Sequence, residues 1–108
     1  MCVSDLARSL GWYEVFFGRE ADEVIGQEHL WRVGENAHVV IDARDVRAAR
    51  VGGSTITFGV SGAELSRALA RFTEHGIACG PVETYANGVR HVEVLDPDGN
   101  SLSLAALP

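Results

Sequence analysis

Hydrophobic positions near the start of the chain recur at helical spacing. From Leu6 onward an apolar residue returns every three or four positions as far as Phe17, and Gly18 follows as a helix stop. Ser4 or Asp5 offers the N-terminal cap. We therefore predict a helix over Asp5–Phe17. Its expected buried stripe is Leu6, Leu10, Tyr13 and Phe17, flanked by Trp12 and Phe16.

The pattern then changes from helical spacing to alternation, which is typical of strands. Three alternating segments follow at residues 22–26, 29–33 and 37–43, and the first of them is the weakest. Residues 34–36, with the sequence Gly-Glu-Asn, predict a hairpin turn between the last two. Residues 45–53, rich in arginine and closed by two glycines, are expected to form an exposed connection.

The second half of the chain repeats this order. Residues 54–60 alternate as a strand, and Ser61 with Glu64 has the spacing of a capping box at a helix start. Gly76 ends that helix, and residues 77–82 resemble a short strand interrupted by Gly-Pro. The apolar stripe of the second helix is Leu65, Ala68, Leu69 and Phe72.

The chain ends in a predicted hairpin. Residues 88–95 and 101–104 alternate, and between them lies the sequence Asp-Pro-Asp-Gly-Asn at residues 96–100. Pro97 pre-sets one backbone angle and Gly99 supplies positive φ, so this segment predicts a tight reversal. Strand, turn and strand together make the most specific local signal in the sequence.

Each half therefore has the order β-α-β-β-β, a repeat of element order rather than of residue identity. We predict one α+β domain over residues 1–108, with module 1 at about 1–50 and module 2 at about 51–108. A length of 108 residues fits a single compact unit with a modest core.

Composition and charge narrow the range of partners. The chain is 46% hydrophobic and 22% charged, as in ordinary globular domains. Nine basic against fifteen acidic residues give a formal charge of −6, which argues against nucleic acid as a partner. No segment is apolar for long enough to span a bilayer, so no membrane partner is expected. Two cysteines without close spacing and no recognisable secretory signal predict a cytoplasmic protein with free thiols.

The hairpin sequence GVRHVEVLDPDGNSLSLA and the opening VSDLARSLGWYEVFFG resemble the vicinal oxygen chelate superfamily, and the likeness extends over nearly the whole chain. That superfamily includes glyoxalase I, extradiol dioxygenases and bleomycin resistance proteins. The resemblance implies two βαβββ modules that form a cupped mixed sheet with the helices packed on the outside. It also implies that the floor of the cup is the place for a ligand.

The resemblance further implies where a metal would bind, because the family draws its ligands from four strands. The histidine of the first strand would lie upstream of Met1. On the other three strands the matching positions hold Asp42, Thr55 and Ser103. One carboxylate and two hydroxyls are a poor set for a divalent transition metal. We therefore expect no metal cofactor and assign no catalytic residue.

The candidate ligand-binding residues combine hydroxyl, aromatic and charged side chains. Thr55, Thr57 and Ser103 are expected to point away from the helices, either into the cup or simply into solvent. His38 shares a strand face with Asp42, and these residues line one cavity with Trp31 only if the two strand faces meet. Tyr85 is a candidate for stacking on a flat ligand, and Arg90 follows the family's Gly-Val-Arg pattern. The predicted set is Trp31, His38, Asp42, Thr55, Thr57, Tyr85, Arg90 and Ser103.

These features favour binding over catalysis. The leading hypothesis is metal-independent binding of a small organic molecule, cationic or aromatic, by a homodimer of the antibiotic-sequestering kind. The alternative is a metal-dependent enzyme of glyoxalase or dioxygenase type with an atypical ligand set built on Asp42, with His38, His29 or Glu93. A third possibility is a partner or regulatory subunit that binds no ligand.

Overall fold

The computed structural model describes residues 1–43 and 50–108. Most of the connection predicted for residues 45–53 therefore lies outside the described residues. Within these ranges the chain forms two helices, α1 (Leu6–Phe17) and α2 (Gly62–Glu74). The strands are β1 (Glu23–Ile25), β2 (Glu28–Gly34), β3 (Ala37–Ile41), β4 (Thr55–Val60), β5 (Glu83–Thr84), β6 (Arg90–Leu95) and β7 (Ser101–Ala106).

Both helices begin and end at the residues that the sequence predicts. The Asp5 side chain accepts a hydrogen bond from the Arg8 amide (3.1 Å), and Gly18 ends α1 with φ of 76°. In α2 the Ser61 and Glu64 side chains form a reciprocal capping box. These bonds satisfy amides that an isolated helix start leaves without partners.

The strands form two sheets rather than one. The first has the order β1-β2-β3, and the second has the order β4-β7-β6-β5 with β4 parallel to β7. A parallel bridge between Cys2 and Asp42 places the start of the chain beside β3. The two modules thus share one topology, since each begins with a segment parallel to the last strand of its module. The α+β prediction with two βαβββ modules is confirmed.

One predicted strand is wrong. Residues 77–82 form no strand, and β5 begins just after them at Glu83. Pro81 has no amide hydrogen to donate, and the segment is tied to β6 by the Gly80 amide, which donates to the Glu93 carbonyl (3.0 Å). The Gly-Pro pair therefore shortens the edge strand rather than interrupting a longer one.

Side chains from both sheets and both helices join in one hydrophobic core. Phe16 is buried and not at a flank as predicted, because α1 packs against α2 as well as against its own sheet. Its ring stacks on Phe72 (5.6 Å between centroids) and lies 6.0 Å from Phe58. The buried cluster is Val3, Tyr13, Phe16, Trp31, Val39, Ile41, Leu65, Ala68, Phe72, Val92, Val94, Leu102, Leu104 and Ala106.

The terminal hairpin turn holds a buried carboxylate, that of Asp96, which is 5% exposed. Its Oδ1 accepts from the amides of Asp98 (2.9 Å) and Asn100 (2.8 Å). Its Oδ2 accepts from the Tyr13 hydroxyl of α1 (2.7 Å) and from the Asn100 side-chain amide (2.8 Å). Four donors therefore compensate for the burial of this group and tie the turn to the first helix.

Asn100 extends this network to the starts of both modules. Its Nδ2 also donates to the Cys2 carbonyl (3.3 Å), and its Oδ1 accepts from the Ser54 amide (2.9 Å). Gly52 passes so close to the turn that a Cβ there would lie 2.2 Å from the Asp98 carbonyl oxygen. The turn thus contacts the first residues of both modules and holds the modules together.

We predict that Tyr13→Phe lowers the free energy of unfolding by about 1–3 kcal/mol, because it removes one donor from a buried carboxylate. Urea denaturation of the two proteins measures the difference. Tyr85→Phe is the matched control, since Tyr85 is 45% exposed, and it should change stability by less than about 0.5 kcal/mol. Equal effects of both variants would contradict the structural role of Asp96.

We also predict that Tyr13 makes stability fall at high pH. Burial, reinforced by the hydrogen bond to Asp96, raises the pKa of Tyr13 far above its ordinary value. The unfolded chain loses this proton above about pH 10 whereas the folded chain retains it, so stability is lost as pH rises. The stability gap between the wild type and Tyr13→Phe should narrow from about pH 9 to about pH 11 in urea titrations. A constant gap would show that Tyr13 is not held protonated.

Candidate functional site

The second sheet presents hydroxyl groups on the face turned away from the helices. Register pairs Thr55 with Ser101 and Thr57 with Ser103 across the parallel strands β4 and β7. The residues between them in sequence belong to or pack against the core, which fixes the orientation of both rows. We call Thr55, Thr57, Ser101 and Ser103 the hydroxyl face. The predicted orientation of the hydroxyls away from the helices is therefore confirmed.

β6 adds charged and aromatic groups to the same side of this sheet. Glu93 lies opposite Ser103 in the register, and its Oε2 accepts from the Ser101 hydroxyl (2.6 Å). Two positions earlier, His91 stacks against the ring of Tyr85 (5.6 Å between centroids, 24° between planes). The hydroxyl face thus has a carboxylate beside it and an aromatic pair at its edge.

Arg90 does not join this group of residues. It precedes His91 in β6 and is paired with the buried Ala106, so its side chain lies on the helix side of the sheet. There its guanidinium approaches Gly62 at the start of α2, where a Cβ would lie 2.8 Å from Nη2. Whether Arg90 supports a ligand stays a prediction, but it does not do so from the hydroxyl face.

The candidate residues of the first sheet do not line one cavity. Trp31 is fully buried, stacks on Phe17 (5.2 Å) and donates its Nε1–H to the Arg19 carbonyl (3.0 Å). His38 pairs with Arg32 and therefore points to the opposite side of the sheet from Trp31. The structure thus corrects the prediction that Trp31 lines a ligand cavity with His38 and Asp42, because its ring belongs to the core.

Asp42 directly follows β3, where its backbone bridges to Cys2 and its side chain alternates with the buried Ile41. The residues at the family's metal positions, Asp42, Thr55 and Ser103, do not fit a divalent transition metal, since hydroxyls bind such ions poorly. Across residues 1–43 and 50–108, no three His, Cys, Asp or Glu side chains come close enough to hold a metal ion.

A cleft of about 400 Å³, which the sequence did not predict, lies on the other side of the second sheet. It opens between the end of α1, β2, β4 and α2. We call it the arginine cleft, because four of its lining residues are arginines and one is a glutamate, Glu64. Its lining is Phe16, Phe17, Arg19, Arg32, Val33, Phe58, Gly59, Val60, Glu64, Arg67, Ala68, Arg71 and Leu104.

Arg71 is the structural centre of the arginine cleft. Its Nε donates to the Val15 carbonyl (2.6 Å) and its Nη2 to the Phe16 carbonyl (2.8 Å), so α2 caps the last turn of α1. Gly18 admits the guanidinium, since a Cβ there would lie 3.0 Å from Cζ. Burial and the nearby charge of Arg67 lower the pKa of Arg71.

A signal for this cleft was present in the sequence but incomplete. Arg67 and Arg71 are four residues apart, so they lie on one side of α2. Their convergence with Arg32 and with the end of α1 depends on how the two modules pack. That packing is set by long-range contacts such as those of Arg71, which no local pattern reveals.

The chain belongs to the Glyoxalase/Bleomycin resistance protein/Dioxygenase superfamily, whose family model matches residues 1–104. One solved structure that resembles the chain is a glyoxalase/bleomycin resistance protein from Catenulispora acidiphila. It is 32% identical, with a TM-score of 0.85 over 100% of this chain and 94% of that one.

Two further solved structures share the fold. Lactoylglutathione lyase from Agrobacterium tumefaciens is 22% identical, with a TM-score of 0.74 over 98% of this chain and 88% of that one. The oxidase ChaP-H2 is 16% identical, with a TM-score of 0.81 over 100% and 89%. No curated protein matched the chain.

None of the helices in the described part of the chain is long and apolar enough to cross a membrane.

We predict that Arg71→Met lowers the free energy of unfolding by about 2 kcal/mol, because two helix-end carbonyls lose a charged donor. Arg67→Met is the matched control on the same helix, and it should change stability by less than about 0.5 kcal/mol because Arg67 is exposed. Thermal or urea unfolding distinguishes the two variants. A larger loss for Arg67→Met would refute the capping role of Arg71.

Proposed function

We propose that the chain binds a small organic molecule at the hydroxyl face without the help of a metal. The observation that carries this proposal is the pair of registered rows, Thr55 with Ser101 and Thr57 with Ser103, on the side of β4 and β7 turned away from the helices. Thr55 and Thr57 are exposed there, whereas Ser103 is 4% exposed. Hydroxyls donate and accept, so the two rows supply directional contacts to a polar ligand. Membership of the superfamily supports ligand binding on this side of the sheet.

The groups around the hydroxyl face favour a cationic ligand with a flat part. Glu93 places a carboxylate beside Ser103, and the whole chain carries a formal charge of −6. The stacked pair of Tyr85 and His91 offers an aromatic surface at the edge, where a planar group gains stacking and cation–π contacts. An antibiotic that combines a positive charge with flat rings, as bleomycin does, is a suitable probe.

We propose in addition that a second copy of the chain covers the hydroxyl face. Thr55 and Thr57 are exposed, so one copy provides a floor for the ligand without an opposite wall. Leu95, opposite Ser101 in the register, is also 55% exposed on this side. A homodimer would enclose the ligand and shield this apolar group from water.

The test is isothermal titration calorimetry with a panel of cationic planar compounds that includes bleomycin. We predict saturable binding by the wild type and about tenfold weaker binding by Thr57→Val, which removes one hydroxyl at nearly constant shape. Thr73→Val is the matched control, because Thr73 is an exposed threonine on α2 whose hydroxyl donates to Leu69 (3.1 Å). It should bind as the wild type does.

Absence of binding to every compound by a protein shown to be dimeric would overturn the proposal. A stoichiometric transition metal in protein purified without chelator, lost in Asp42→Ala, would replace it with the metal-dependent alternative. Solved structures that share the fold include one described as a lyase and one described as an oxidase, so the metal measurement accompanies the titrations.

A further inference from the structure

The arginine cleft has the size and lining of a ligand site, and it is separate from the hydroxyl face. Its volume of about 400 Å³ lies in the range of small-molecule pockets. The half-buried Phe17 and Phe58 supply an apolar wall, in which they meet edge-to-face (5.8 Å, 83°). The cleft lies on the helix side of β4, whereas Thr55 and Thr57 point to the other side.

The arginines of the cleft are poorly neutralised by the protein. Arg19 forms an ion pair with Asp22 (3.0 Å), and the hydrogen bonds from this guanidinium, followed by that from the Arg32 amide, lower the pKa of the Asp22 carboxyl. The Arg32 guanidinium donates to two carbonyls, those of Gly34 (3.4 Å) and Glu35 (3.0 Å). Neither carbonyl balances its charge.

The two arginines on α2, Arg67 and Arg71, also lack a carboxylate partner. Arg71 donates only to carbonyls, as described above, and within the described ranges Arg67 has neither an ion pair nor a hydrogen bond to the protein. Glu64 is the one carboxylate in the lining, and its Oε2 already accepts from the Ser61 amide (2.7 Å). Three guanidinium groups without a carboxylate partner, those of Arg32, Arg67 and Arg71, thus line a cleft of mixed polar and apolar surface in a chain that is acidic overall.

We propose that the arginine cleft is a second ligand site and that it takes a small aromatic carboxylate. The carboxylate lies between Arg67 and Arg71, where guanidinium groups provide charge-assisted hydrogen bonds. The ring lies against the phenylalanine wall, where it gains apolar burial and edge-to-face contacts. An anion also relieves the repulsion between Arg67 and Arg71, which adds to the effect of burial in lowering the pKa of Arg71.

The ligand proposed for the arginine cleft is an anion, whereas the ligand proposed for the hydroxyl face is a cation. One side of the second sheet offers Glu93 and hydroxyls to a cation, and the other offers arginines to an anion. The two sites share β4 as a common wall, yet their side chains alternate, so a substitution in one leaves the other intact. The two proposals therefore succeed or fail independently.

The test is isothermal titration calorimetry of the full chain with 2-naphthoate. We predict saturable binding with one site per chain, and about tenfold weaker binding by Arg67→Gln because one charge-assisted contact is lost. Arg8→Gln is the matched control, since it removes the same charge from an exposed position on α1 outside the cleft. It should bind as the wild type does.

Four further arms make the result specific. The neutral amide 2-naphthamide should bind at least about tenfold more weakly than 2-naphthoate. Phe58→Leu should weaken binding of 2-naphthoate, because it removes part of the aromatic wall, and Arg67→Lys should fall between the wild type and Arg67→Gln. Thr57→Val should leave the affinity for 2-naphthoate unchanged, which separates this site from the hydroxyl face.

Several outcomes would overturn the proposal. No heat of binding at millimolar 2-naphthoate would do so, as would equal weakening by Arg67→Gln and Arg8→Gln, which would indicate a general charge effect. If Arg67→Gln instead shifts the oligomeric state in analytical ultracentrifugation and 2-naphthoate does not bind, the cleft is a contact between copies of the chain.

Discussion

The buried carboxylate of Asp96 is the contact on which the fold depends most. A charged group removed from water is tolerated only where donors surround it, and here two come from the turn itself. A third comes from the Asn100 side chain and the fourth from Tyr13 in the other module. The turn therefore fixes its own shape and holds the first helix with the same atoms.

Asn100 extends this hydrogen-bond network beyond the turn and connects it to both modules. By bonding Cys2 and Ser54, it fixes the first residues of both modules relative to the hairpin. β7 then begins beside β4 in parallel register, and that register brings the threonines of one strand next to the serines of the other. The hydroxyl face is in this sense a product of the turn that precedes β7.

The second link between the modules is Arg71, and it has a different consequence. By capping the end of α1 from α2, it sets the gap in which the arginine cleft lies. The network around Asn100 thus arranges the polar side of the second sheet. Arg71 shapes the arginine cleft on the opposite side. The two proposed sites follow from the two ways in which the modules are joined.

Sequence reasoning succeeded where local chemistry decides structure. The caps at Asp5 and Ser61, the β-α-β-β-β order of each half and the orientation of the hydroxyl residues were all predictable from spacing and residue type. It failed where a side chain has two partners distant in sequence. Spacing alone placed Phe16 at the flank of the helix stripe and Trp31 among the ligand-binding residues, but contacts between helix, sheet and second module bury both. The convergence of the arginines at the cleft was likewise not predictable, because it depends on contacts between residues distant in sequence.

The central claim is that the turn at residues 96–100 joins the modules into one cooperative unit. Native-state hydrogen exchange, compared between the wild type and Asn100→Ala, tests it most directly. The account predicts that amides in α1 and in β6–β7 lose protection by the same free energy, because the junction stabilises both modules together. A loss confined to the turn and β7, with α1 as protected as before, would contradict it.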